Sequence, residues 1–263
     1  MTTAKLEQQP NIRLYTWKIA HMALVSTNRL LLTVPAQSKV MLVQSKTGQV
    51  LSEIVLQNQP GFICMVSANR AATTIFNKTI IQFIQVNERT LETDSTTNVD
   101  VNAYGIAPYR NNLVVSYLEP SGVKIISNDG ETIHKLDNAT AGREVFKSPE
   151  WIATTSDGSI YVTDWGTREI TRLDSSLAIL QTFSGAILRT PQGILALNND
   201  QLLVCSWSNS SVVLIRPSTN SMTVLLDKQQ GIKRPVSLCF CKEQKKMYVA
   251  LAYVDTILVY KLS

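Results

Sequence analysis

Short apolar runs of strand length, each cut by a polar turn, recur along the whole chain. No segment sustains the 3.6-residue apolar spacing of an amphipathic helix. The turns fall at Asn28-Arg29, Ala68-Asn69-Arg70, Arg110-Asn111-Asn112, Ser156-Asp157-Gly158, Asn198-Asn199-Asp200 and Lys242 to Lys246. With centres at 28, 69, 111, 157, 199 and 244 the steps are 41, 42, 46, 42 and 45 residues, which gives six copies. Asp-Gly and Asn-Asn between apolar runs are hairpin chemistry. Prolines at 149, 191 and 235 each open an apolar stretch in the second half.

Residues 148–190 form the clearest copy. Ile152 to Thr155 reads as an innermost strand, Ile160 to Trp165 as the second, Glu169 to Leu173 as the third and Ala178 to Phe183 as the fourth. Four antiparallel strands repeated about every 40 residues make one propeller blade. The spacing therefore predicts an all-β fold, a six-bladed β-propeller of four-stranded antiparallel blades. The sixth copy stops at Tyr260-Lys261-Leu262-Ser263, after its third strand, while Asn11 to Tyr15 is left over ahead of the first copy near Trp17-Lys18-Ile19. An open ring would expose strand edges, so residues 11–15 are expected to supply the last blade's fourth strand. Residues 1–263 are read as one domain, with blades near 16–58, 59–100, 101–147, 148–190, 191–234, and 235–263 plus 1–15.

Composition narrows the picture without redirecting it. Hydrophobic residues make up 44% and charged residues 17%, the latter below the usual quarter or so, as expected of a chain with many buried strands. The net charge of +5 is small and spread out, so it leaves nucleic acid and acidic proteins open as partners without selecting either. Cys64, Cys205, Cys239 and Cys241 all lie in apolar stretches, and the Cys239-Phe240-Cys241 spacing is neither a zinc pair nor a redox motif. They are expected to be buried free thiols. No apolar run approaches the ~20 residues of a membrane span, and the start of the chain is polar. A cytoplasmic location with no membrane partner is the expectation.

The residues carry a family likeness. Pro191-Gln192-Gly193-Ile194 matches the opening of an NHL repeat. Ile160-Tyr161-Val162-Thr163-Asp164 followed by Ile170, and Lys246-Met247-Tyr248-Val249 followed by Ile257, match its second and third strands. The chain resembles the C-terminal NHL region of tripartite-motif proteins, well over 103–263 and faintly over 1–102; the Gly-His and Trp-Asp marks of WD40 repeats are absent. The resemblance implies a propeller that recognises a protein or single-stranded RNA through one face, in the manner of the substrate-recognition part of a ubiquitin ligase. The zinc module of such ligases has no counterpart in these residues.

Loops positioned by a rigid sheet tend to carry function. In a propeller the loops joining second to third strands share a face with those joining blades. Reading the end of each second strand gives Pro35, Phe76, Tyr117, Trp165, Trp207 and, one residue along, Tyr253. The five aromatic residues are candidates for a binding face, able to stack on bases or anchor a peptide, with interblade packing as their structural alternative. Lys39, Arg143, Lys147, Arg168, Arg189, Lys233 and Arg234 accompany them and suit phosphate or protein contacts equally; solvated loop charge is the plainer alternative. Lys242, Lys245 and Lys246 belong to the opposite face.

Catalytic readings are weak at this level. His21 and His134 lie far apart, and Ser206 and Ser208 have no evident base. A metal-dependent hydrolase would need hard ligands at the channel mouth, where only Glu150, Gln192 and Asn102 are expected. No catalytic residues, metal, cofactor or small-molecule substrate are expected, and the sequence reads as a binding platform rather than an enzyme.

Overall fold

A computed structural model describes residues 6–14 and 18–262. Twenty-four strands are present among them. The first, β1 (Leu6–Arg13), stands apart from the blade that follows. Blade 1 is β2 (His21–Ser26), β3 (Arg29–Val34), β4 (Lys39–Gln44) and β5 (Val50–Val55). Blade 2 is β6 (Pro60–Ser67), β7 (Arg70–Ile75), β8 (Ile80–Val86) and β9 (Leu91–Asn98). Blade 3 is β10 (Ala103–Tyr109), β11 (Asn112–Leu118), β12 (Ser121–Ile126) and β13 (Thr132–Asp137), and a single helical turn, α1 (Asn138–Ala141), leads out of it. Blade 4 is β14 (Pro149–Thr154), β15 (Ile160–Asp164), β16 (Glu169–Leu173) and β17 (Ile179–Phe183). Blade 5 is β18 (Pro191–Asn198), β19 (Gln201–Ser206), β20 (Ser211–Arg216) and β21 (Ser221–Leu226). Blade 6 is β22 (Pro235–Cys241), β23 (Lys246–Leu251) and β24 (Thr256–Leu262).

Each blade is one antiparallel sheet in chain order, and the last is completed by β1, giving the order β1-β24-β23-β22. Leu6 pairs with Leu262 and Arg13 with Thr256. The closing strand is therefore as expected in place and pairing but begins earlier, at Leu6; Tyr15 and Trp17 of the sequence reading lie outside the described residues. The inner strands β2, β6, β10, β14, β18 and β22 each pack against their two neighbours, with β22 against β2, so the ring is closed.

The core lies between blades. Apolar side chains of adjacent sheets interdigitate in separate clusters: Leu31, Val40 and Ile84 between blades 1 and 2, Ile125, Phe146 and Ile160 between 3 and 4, and Leu203, Met247 and Tyr260 between 5 and 6. Ile12 of β1 packs with Tyr248, Ile257 and Val259. The four cysteines are free and buried in these layers.

A repeated irregularity shapes one end of the channel. In blades 2 to 6 the register between inner and second strand slips close to the start of the inner strand, for example between Pro149 and Ile152 and between Pro191 and Ile194. Pro60 opens β6 in the same way, a proline signal that the weaker likeness over 1–102 had concealed. A bulge of this kind re-aims side chains and leaves a backbone donor unpaired. In blades 2 and 3 a second-strand hydroxyl satisfies that donor. Thr74 Oγ1 accepts from Phe62 N at 3.0 Å and donates to the carbonyl of Tyr104 at 2.7 Å. Ser116 Oγ accepts from Gly105 N at 2.9 Å and donates to the carbonyl of Glu150 at 3.0 Å. Each hydroxyl thus ties its own blade to the next. Blades 3 and 4 approach so closely here that a Cβ on Gly105 would stand 1.7 Å from the Glu150 carbonyl oxygen, which only glycine tolerates.

Candidate binding site at the channel mouth

In blades 3 to 6 the residue after the first position of the inner strand faces the same opening: Tyr104 in blade 3, Glu150 in blade 4, Gln192 in blade 5 and Val236 in blade 6. Phe62, Phe76, Trp151, Trp207 and Tyr253 join them, with Lys18 at the rim, around a cavity of about 310 Å³. Phe62 and Trp151 meet edge to face across the channel at 4.8 Å, and both are almost wholly buried. They floor the mouth and divide it from a second cavity, of about 290 Å³, lined by the remainder of all six inner strands. Phe76 lies against Phe62 and Tyr104, with ring centroids 6.4 and 5.4 Å away.

Polar groups are few and placed on one side. Glu150 Oε1 accepts the indole N–H of Trp165 at 3.0 Å. Burial, reinforced by the charge of Asp164, pushes the Glu150 carboxyl up to about 7 despite that hydrogen bond. Tyr104 is raised as well, by burial and then by Glu150 and Glu119. Asp164 is buried and accepts backbone N–H groups of Lys147, Ser148, Gly166 and Thr167 at 2.7 to 3.0 Å. It pins the blade-joining segment to the β15–β16 loop and so holds Trp165 over Glu150. Gln192 Oε1 and Trp151 Nε1 are buried with no hydrogen-bond partner among the described residues.

The aromatic candidates divide by their position relative to the strand end. Phe76, Trp165 and Trp207 lie one residue past their second strands, and Tyr253 two past. Trp165 and Tyr253 are exposed, at 46% and 59%. Arg234 sits over the Trp207 ring at 4.9 Å and Lys18 over Tyr253 at 4.4 Å. Tyr117 requires correction. It is wholly buried, because β11 continues one residue beyond it and its register equivalent in blade 4 is Asp164, not Trp165. It packs within its own blade instead, with Lys124 Nζ of β12 5.3 Å from the ring.

The basic candidates are dispersed. Arg168, Arg189, Lys233 and Arg234 are exposed on loops. Arg143 and Lys147 border a shallow cleft on the outer flank of blade 4 together with Glu144 and Glu169, and Lys147 pairs with Glu144 at 3.2 Å. Lys39 lies within β4 and is committed to Glu53 of β5 at 2.7 Å. None of the seven lines the mouth cavity. Asn102 does not line it either.

Tyr104, Phe62 and Trp151 escaped the sequence reading. A signal for Glu150 and Gln192 was present, since each follows a strand-opening proline, and the same rule applied to Pro60 would have pointed to Gly61 and Phe62. Ser206 is structural: its Oγ accepts from Arg189 N at 2.9 Å. The His21 imidazole lies 5.2 Å from Phe62 and is pushed down to about 4 by burial. No group of three or more His, Cys, Asp or Glu suited to a metal is found among the described residues, and no described helix is long and apolar enough to cross a membrane.

No family model matches the chain, and no curated protein matches it in sequence. Solved structures do match. A catalytically inactive virginiamycin B lyase from Staphylococcus aureus, solved with quinupristin, superposes with a TM-score of 0.69 at 15% identity, covering 98% of this chain and 100% of the other. A streptogramin B lyase gives 0.66 at 14% identity, covering 98% of each chain. The β-propeller domain of Cps50 (Swd1) from Myceliophthora thermophila gives 0.70 at 11% identity, covering 98% and 100%. At these identities the likeness is one of fold. It nevertheless overturns the expectation that this chain is not an enzyme: propellers matching it over nearly their full lengths include lyases, so the fold gives no ground for excluding catalysis.

Proposed function

We propose that this propeller recognises a protein partner through the end of the ring where the aromatic mouth opens. The observation that carries the reading is the mouth itself: a concave site with buried rings at its floor, Trp207 and Tyr253 at its rim and a few convergent polar groups. Buried aromatic anchors within a polar surround are the usual energetic centre of protein interfaces. The NHL-like repeats of 103–263 support the finer reading of a substrate-selecting part of a tripartite-motif-like ubiquitin ligase. Single-stranded RNA is less well supported, because the basic candidates are dispersed and none of them lines the mouth.

A second reading has one specific support. A carboxyl held near 7 in a cleft is suited to general acid–base work, so catalysis on a ligand seated at the same mouth is the alternative.

Affinity capture with three forms of the protein tests the first reading. The wild type and a Lys245→Glu/Lys246→Glu variant, altered at the far end of blade 6, should retain the same partners, while Trp207→Ala/Tyr253→Ala should lose them. Retention of every partner by the Trp207/Tyr253 variant would remove the mouth from consideration.

A further inference from the structure

We propose that the mouth is a socket for a cationic side chain bearing N–H donors, a lysine or arginine presented by the protein partner; this rests on the reading of the mouth as a recognition site. Three features at the same opening select that chemistry. The walls are aromatic, and ring faces attract cations. Two of these rings already hold cations of this chain, Arg234 over Trp207 and Lys18 over Tyr253. The second feature is a carboxyl at the side of the cavity: Trp165 engages Glu150 Oε1, and no hydrogen bond among the described residues uses Oε2. The third is the buried Oε1 of Gln192 in the neighbouring blade, which has no partner among the described residues.

A ligand that leaves a buried acceptor unpaired forfeits affinity. An apolar anchor would leave Gln192 Oε1 and Glu150 Oε2 without donors, and a quaternary ammonium would do the same. An ammonium or guanidinium supplies several N–H groups and a charge together. The surrounding field has the matching sign, since Glu119 acts on Tyr104 and Asp164 acts on Glu150. Lys18 and Arg234 oppose a second cation, but both are on exposed rim positions where water screens them. His21, below the floor, is held neutral by burial.

Charge linkage supplies an independent signature. Glu150 is pushed up to about 7, and a bound cation favours its ionised form, so binding must release a proton below that pH. Affinity for a cationic probe should rise with pH, up to about tenfold per unit below about 7, and level off above it.

The experiment uses the whole chain. A random peptide display library is selected on the wild type and on Glu150→Gln, which keeps an acceptor for Trp165. In parallel, the acetylated methylamides of arginine, lysine, trimethyllysine, citrulline and norleucine are titrated at pH 8 while the indole N–H resonances of Trp151, Trp165 and Trp207 are followed. The expected result is library enrichment for lysine or arginine at one position and indole shifts with the arginine and lysine probes. Glu150→Gln should lower their affinity by about tenfold or more. Neutral probes binding as well as cationic ones, unchanged affinity in Glu150→Gln, or tighter binding of trimethyllysine than lysine would overturn the socket. If library peptides still shifted the indoles in those cases, recognition at the mouth would stand without it. Failure of any peptide to shift an indole would sink both readings.

Discussion

At the scale of single residues, the site is built by backbone accounting. Thr74 and Ser116 accept from backbone N–H groups left over by bulged inner strands and donate in turn to the carbonyls of Tyr104 and Glu150. The side chains at the mouth are thereby fixed by polar bonds their own blades required. Glu150 carries the largest consequence. Its ordinary value of 4.5 is raised to about 7, so the native state holds a proton that the unfolded chain releases between those values. Stability from this group is present below 4.5 and is lost as pH rises through 7. The Glu150→Gln variant should match the wild type near pH 4.5 and melt higher at pH 8, by up to about 3 kcal/mol in stability. Thermal melts of both proteins across that range check it; a gap that did not widen with pH would refute the burial of the carboxyl.

At the scale of elements, β1 decides whether the ring is closed. It offers little apolar surface of its own: Ile12 is nearly inaccessible, whereas Glu7, Gln8, Asn11 and Arg13 are exposed. Its hold on β24 is a backbone ladder from Leu6–Leu262 to Arg13–Thr256, anchored by Ile12 against Tyr248, Ile257 and Val259. Placing a carboxylate at that anchor buries an unpaired charge. Ile12→Asp should cost about 3 kcal/mol, lowering the melting temperature by roughly 6–12 °C for a domain of this size. It should also free the edge of β24, so concentration-dependent association in size-exclusion chromatography is expected alongside calorimetry. An unchanged melting temperature would show that β1 contributes nothing to closure.

At the scale of the whole molecule, burial is distributed over six interblade layers rather than one centre, and the thiols report on it. Cys64 and Cys239 are both pushed up to about 12 by burial, and Cys205 and Cys241 are also raised, first by burial. A thiol kept protonated and shielded is a poor nucleophile. All four should resist an aromatic disulfide reagent at pH 8 in the native protein and react together on unfolding, with the labelling count followed by mass spectrometry. Rapid modification of any one in native conditions would mark a blade that opens separately.

The period of turns and strands determined the number of blades, the four-stranded sheets and the pairing of the chain's beginning with its last blade. Those features follow from local alternation and from counting strands, both of which are written in one dimension. Glu150 and Gln192, expected at the channel mouth from the sequence, do line it, and Asn102 does not. Tertiary structure alone decided which aromatic side chains are available. Tyr117 and Trp165 look alike at the ends of their apolar runs, yet a one-residue difference in where the strand stops buries the first and exposes the second. It alone brought Phe62 of blade 2 against Trp151 of blade 4 and placed Trp165 on Glu150. Such contacts join residues far apart in sequence around a ring, and no local pattern encodes a distance that exists only once the ring is closed.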